Sequence, residues 1–172
     1  VNLQLSRVAE KSEYAVGTLY QHFPSKEDLL VALVTEDVTE HAGLFDCIAR
    51  WDAPSRDRMF ALSVADTVFV QKNPEHFMLS QYVFCEVVWN AASAARPDEL
   101  VSKAEPIRKT AIGIVEAGVA AGDLDVNYLS PGETTAGAWC LSSGVLKLAH
   151  ATGVLQHFAV NDPSRLASLQ MQ

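Results

Sequence analysis

Val8-Ala9-Glu10-Lys11-Ser12-Glu13-Tyr14-Ala15-Val16-Gly17-Thr18-Leu19-Tyr20-Gln21-His22-Phe23-Pro24-Ser25-Lys26-Glu27-Asp28-Leu29-Leu30 is the stretch on which the reading of this chain turns. It divides into three helical pieces. Leu5, Val8 and Ala9 fall at i, i+3 and i+4 and line one face of a first helix. Ser12 to Ala15 has no such period and suits a turn. A second helix is expected from about Ala15 to Gln21, with Leu19 and Phe23 inward and Val16, Gly17, Thr18 and Tyr20 outward. Ser25 starts a third: its hydroxyl can cap free backbone N–H groups, and Asp28 stands at the capping-box position usually held by Glu or Gln.

The run Gly-Thr-Leu-Tyr-x-His-Phe-x-Ser-Lys-Glu-x-Leu-Leu, Gly17 to Leu30, resembles the helix-turn-helix of the TetR (tetracycline-repressor-like) family of transcriptional regulators. The resemblance implies an all-α fold, in which an N-terminal helix-turn-helix DNA-binding module precedes a helical ligand-binding and dimerisation domain. It implies DNA contacts at Val16, Gly17, Thr18, Tyr20, Gln21, His22 and Lys26, with Leu19 and Phe23 in the core. The residue chemistry agrees with those roles. Thr18 presents a hydroxyl and a methyl to a base edge. Tyr20 presents a ring and a phenol, and Gly17 lets backbone approach the duplex. His22 and Lys26 are donors for phosphates, and the helix N-terminus beside Lys26 favours an anion. The departures lie in the turn. Ser12-Glu13-Tyr14-Ala15 replaces the family's common Ala-Gly-Val-Ser, so Glu13 stands at a glycine position and Ala15 removes an N-cap worth roughly 1 kcal/mol.

The 172 residues are 49% hydrophobic, enough for a helical core and too much for disorder. The nearest approach to an apolar span, Ala111 to Ala121, is interrupted by Glu116, and no secretory signal pattern opens the chain. Cys47, Cys85 and Cys140 are widely spaced in apolar helical contexts, so buried, reduced thiols in a cytoplasmic protein are expected. The formal net charge of −8 argues against nonspecific nucleic-acid binding by the whole surface. In residues 1–34, Arg7, Lys11 and Lys26 face Glu10, Glu13, Glu27 and Asp28. Val1 already lies beyond the helix that precedes the motif in family members, so that leading helix is expected to be missing.

The expected division is 1–34 for the helix-turn-helix module and 35–172 for effector binding and dimerisation. Helices are expected from Ser25 to about Arg50, from Ser55 to Lys72, and from an N-cap at Asn73 to about Ala94. After a turn at Arg96-Pro97-Asp98 another runs from Glu99 to Ala121, kinked or restarted near Pro106. Gly122 ends it. The next runs from a capping box at Ser130 and Glu133 to about Ala151. A last helix is expected from Asn161-Asp162-Pro163 through Leu166 and Leu169. The Pro131–Ala151 helix carries Ala136, Gly137, Ala138, Ser142, Ser143 and Gly144, small residues that let another helix approach. The resemblance places a homodimer interface there and from Pro163 onward.

The resemblance also implies a small-molecule effector, apolar or amphipathic. Phe77, Met78, Gln81, Tyr82, Cys85, Glu86 and Trp89, read as one helix, with Met59, Phe60 and Trp139 are candidate lining. A buried, unpaired Glu86 would be costly, so it is either exposed or a ligand partner. No catalytic residue, metal or cofactor is expected. His41 follows Glu36, Asp37 and Glu40 on a charged helix, His150 and His157 lack ligand spacing, and Ser142-Ser143-Gly144 sits mid-helix. The expected function is therefore a ligand-responsive transcriptional regulator, a repressor released from double-stranded operator DNA by its effector. The alternative is a helical sensor or interaction protein of the same fold with weak or no sequence-specific DNA binding.

Overall fold

The computed structural model describes residues 3–162, and among them there are helices and turns but no strand. The order is α1 (Leu5–Lys11), α2 (Val16–His22), α3 (Lys26–Ala49), α4 (Ser55–Lys72), α5 (Pro74–Val83), α6 (Glu86–Ala91), α7 (Ala95–Ala121) and α8 (Pro131–Ala149), then a 3-10 turn at Gln156–Phe158. The described residues pack as two compact units, one of residues 3–40 with Glu75–Glu105, the other of His41–Pro74 with 106–162. In the first, Leu30, Val31 and Val34 of α3 pack with Val83, Val88 and Leu100. In the second, Phe45, Leu62, Ala111 and Ile114 form the core, flanked by Ile48, Met59 and Ile107. Each Val, Leu, Ile or Phe among the buried ones is worth about 1.5–3 kcal/mol. A side-chain cap adds about 1 kcal/mol. Packing of buried residues therefore holds α1, α4 and α6 although none has a side-chain N-cap.

Where helices end on local chemistry, the sequence signals work. Gly122 takes φ 75°, its N–H bonds Val119 O at 3.1 Å and the Asp123 N–H bonds Gly118 O at 2.9 Å. This is the paired closure that a left-handed glycine permits. Ser130 Oγ accepts from Glu133 N at 3.2 Å while Glu133 Oε2 accepts from Ser130 N at 2.8 Å, completing the capping box. Those bonds from Ser130 hold the Glu133 carboxyl below its ordinary range.

Two helical expectations need correction. The helix expected from Asn73 to Ala94 is broken at Phe84–Cys85, where Cys85 is extended (φ −76°, ψ 145°). Val83 and Val88 are both buried in one core. Five residues on a continuous helix would turn them about 140° apart, so the break lets both face inward. Asn73 stands where expected, directly before Pro74 at the start of α5, and it also closes α4, its Nδ2 donating to Phe69 O at 3.1 Å. Arg96-Pro97-Asp98 belongs to the first turn of α7, where a proline costs nothing because that N–H has no intrahelical partner. Of the two expectations at Pro106, a kink or a restart, the restart does not occur: α7 is continuous through it, and Leu100 and Ile114 on either side are each buried. Cys47 and Cys140 are exposed and Cys85 half-buried, all three free, so the expectation of buried thiols fails. Apolar neighbours in sequence do not all lie on the buried face of an amphipathic helix. The expected last helix, from Pro163 onward, lies outside the described residues.

Two glycines on α7 predict opposite signs. A Cβ on Gly118 would lie 3.0 Å from Ser55 Cβ and 3.2 Å from Leu124 Cβ, whereas one on Gly113 meets nothing within 4 Å. Gly118→Val is expected to destabilise by about 1–3 kcal/mol through overpacking. Gly113→Ala is expected to stabilise by about 0.5–1 kcal/mol through helix propensity. Urea unfolding of both variants checks the pair, and equal effects would contradict the close approach at Gly118.

Candidate nucleic-acid interface

The turn between α1 and α2 is built from local bonds. Ser12 Oγ donates to Val8 O at 2.8 Å, and Tyr14 N bonds Ala9 O at 3.0 Å across the corner. Glu13, where the related motif has glycine, sits in the left-handed region with φ 60°. That conformation costs an L-residue about 1–2 kcal/mol. Glu13→Gly is therefore expected to raise stability by about 1 kcal/mol, less the entropy glycine loses on folding. Thermal and urea unfolding measure it, and a neutral or negative change would mean that the turn is unstrained.

On α2 the residues separate by exposure. Val16, Gly17, Tyr20, Gln21 and His22 are exposed, and Leu19 and Phe23 are half-buried. Tyr20 keeps 49% of its surface and Val16 43%. A Cβ on Gly17 would meet nothing within 4 Å, so the space beside it is open to a partner. Thr18 is half-buried, less outward than its expected role asks. Lys26 keeps 43% of its side chain exposed, with Nζ 3.6 Å from Glu27 Oε1. A groove of about 430 Å³ runs beside these residues, with Gln4, Ser6, Tyr20, Ser25 and Lys26 among its walls.

Asp28 is buried and does not present its charge to this face. Its backbone N–H donates to Ser25 Oγ at 3.0 Å, and Ser25 Oγ donates in turn to Oδ2. Oδ1 accepts from Ser93 N at 3.2 Å and from Ser93 Oγ. The carboxylate is thus a tie to the segment before α7, not the return arm of a capping box. Burial pushes the Asp28 carboxyl up. The hydrogen bonds from Ser25 and Ser93, with the nearby Arg96 guanidinium, outweigh burial and hold it below its ordinary value. Glu27 is occupied with Lys26. The charges left exposed around α1 are Arg7 and Lys11 against Glu10 and Glu13, so the acidic balance read from residues 1–34 overstates the repulsion here.

Arg96 is the residue that sequence reasoning missed. It reaches this region from α7, with Nη2 donating to His22 O at 2.9 Å. No local pattern signals a contact across that length of chain.

The candidate effector residues divide between the units. Tyr82, Cys85 and Trp89 pack on the first core and Phe77 is buried, whereas Met78 and Glu86 are exposed. Glu86 therefore takes the exposed alternative. The break at Cys85 places these residues on two helices, not one. In the second unit Met59 packs on the core, while Phe60 and Trp139 are more than half exposed. His41 is occupied with Asp66, Nε2 to Oδ1 at 2.8 Å but off-line for a hydrogen bond, and its ring stacks on Phe69 at 4.6 Å. Asp37 pairs with His76 at 2.8 Å. Among the described residues no group of three or more His, Cys, Asp or Glu could hold a metal, and no helix is long and apolar enough to cross a membrane.

Comparison with known proteins accords with this geometry. Residues 2–33 match the family model of bacterial regulatory proteins, tetR family. No curated protein is similar enough in sequence to match. The chain is similar in fold to a tetR-family bacterial regulatory protein from Rhodococcus RHA1 (TM-score 0.70, 19% identity, 96% of this chain and 80% of that one). It is also similar to the transcriptional regulator FadR from Bacillus subtilis, solved with stearoyl-CoA (TM-score 0.70, 14% identity, 98% and 85%). A third is the TetR family transcriptional regulator PfmR from Thermus thermophilus (TM-score 0.71, 12% identity, 98% and 85%). The N-terminal helices thus match the tetR family model over residues 2–33, and the all-α chain has the fold of solved regulators of that family.

Proposed function

We propose that the protein is a ligand-responsive transcriptional regulator that binds double-stranded operator DNA through residues 1–34 and represses until an effector releases it. The observation that carries this reading is the exposed flank of α2, with Tyr20 and Val16 outward and open space at Gly17. A short helix with that chemistry can enter the major groove, where its N-terminal residues meet base edges. Residues 35–172 would bind the effector and dimerise. A two-fold dimer would set two recognition helices about 34–36 Å apart, one DNA turn. The exposed α8 residues Gly137, Leu141, Gly144 and Leu148 share one helix face, bordered by Lys147 and Glu133, that is available for that contact. An apolar or amphipathic effector is favoured by the FadR relative, which holds stearoyl-CoA. A protein of this kind works in the cytoplasm.

The second reading, a sensor of the same fold that reads DNA poorly, is favoured by the exposed Glu10 and Glu13 and by the net charge of −8. Duplex binding measured across a salt series discriminates the two. A reader that neutralises phosphates loses affinity steeply as salt rises. Lys26→Ala is expected to weaken all duplexes about equally and to reduce the salt slope by about 1. A flat salt response with no preference over random duplex would overturn the regulator reading and favour the sensor.

A further inference from the structure

Recognition helix α2 has little of its own to hold it. It is seven residues long, has no side-chain N-cap and has no fully buried residue. Helices so short are marginal unless tertiary contacts fix them. The C-terminal end carries carbonyls without intrahelical partners and the negative end of the helix dipole. Arg96 meets both needs. Nη2 donates to the carbonyl of His22, the last residue of α2, at 2.9 Å, and the guanidinium lies 5.2 Å from the centroid of the Phe23 ring. Nη1 bonds Glu99 Oε2 at 3.0 Å, fixing the fork from its own helix. Three residues earlier, Ser93 is tied to the buried Asp28 at the start of α3. The chain on both sides of Pro24 is thereby held to one short segment.

We propose that Arg96 is a positioning residue for DNA recognition: it sets the pose of α2 through the His22 carbonyl and the Phe23 ring without itself touching the duplex. This rests on the DNA-binding reading above, but the contact can be tested without DNA. An arginine suits the task because its planar fork can bond two oxygens while its face stacks on an aromatic ring, which an ammonium cannot do.

The test uses the full chain and Arg96→Ala, with Arg96→Lys as the conservative variant. Amide exchange is read at Phe23, whose N–H bonds Leu19 O at 2.8 Å, and across α8 as reference. Arg96→Ala is expected to speed exchange at Phe23 about tenfold, the worth of a charge-assisted bond at a partly exposed site, with α8 unchanged. Arg96→Lys should restore part of the protection. Operator affinity should fall about tenfold with an unaltered salt slope, because no phosphate contact is lost. Unchanged exchange at Phe23 would overturn the proposal, and so would a salt slope reduced by about 1, which would make Arg96 a phosphate ligand. Should the wild-type chain bind no duplex, the regulator reading fails while the exchange arm still decides the contact. Should Arg96→Ala not fold, Arg96→Lys and Phe23→Leu each remove half of the contact and must show the same confined acceleration; its absence in both overturns the proposal.

Discussion

Asp28→Ala is expected to lower the unfolding free energy by about 3 kcal/mol, the largest effect of any single polar substitution around the helix-turn-helix. The carboxylate is buried and accepts bonds from the Ser25 hydroxyl, the Ser93 hydroxyl and the Ser93 backbone N–H. Removing it strips three donors of their acceptor. A bond to a charged group contributes about 1.5–3 kcal/mol, and each buried donor left unpaired adds a desolvation cost. Water entering the gap offsets part of the sum. Asp28→Asn keeps the shape and one acceptor oxygen, so it should cost less. The two variants also differ from wild type in pH dependence. The folded carboxyl lies below its ordinary value of 3.8. Its contribution is therefore fully present above that value and is lost as pH falls through the folded pKa. Wild type should lose stability below about pH 4 relative to Asp28→Asn, and the two curves should converge in acid. Urea midpoints from pH 2 to 7 measure this. A constant difference across that range would mean that the charge contributes nothing.

The second large effect concerns binding rather than folding. Tyr20→Ala is expected to weaken binding to the operator by roughly 10–100-fold, the range for one good base-edge contact. Tyr20 is 49% exposed, so the melting temperature should hardly move. Thr18→Ala differs in a way that the sequence did not foreshadow. Because Thr18 is half-buried, its loss should appear in both readouts, as a stability decrease of about 1 kcal/mol or less and a weaker operator complex. Competition with random duplex separates the contributions. A Tyr20→Ala protein that melts far below wild type would place the ring in the core and refute the assignment of faces on α2. Unchanged operator affinity in a folded Tyr20→Ala protein would remove Tyr20 from the interface.

Much of the helical architecture was legible because its signals are local. The Gly122 closure and the Ser130–Glu133 box are made by residues within a few positions of one another, and both formed where the pattern placed them. Ser25 likewise caps the Asp28 N–H. The errors share a different cause. The break at Cys85 exists because Val83 and Val88 must reach the same core, a demand set by neighbours distant in sequence. Cys47 and Cys140 sit among apolar residues in sequence yet lie on exposed faces.

The sequence by itself determined the helix-turn-helix and the all-α class, and it placed Val16, Gly17 and Tyr20 outward on α2 though not the half-buried Thr18, since these follow from residue order and helical period over a few positions. Only the tertiary structure decided what braces that helix. Asp28 is spent on Ser93, and Arg96 reaches the His22 carbonyl from 74 residues away. A charged group can be satisfied by any donor or acceptor that folding brings near, and which one arrives is set by packing of distant helices, not by the pattern around the group.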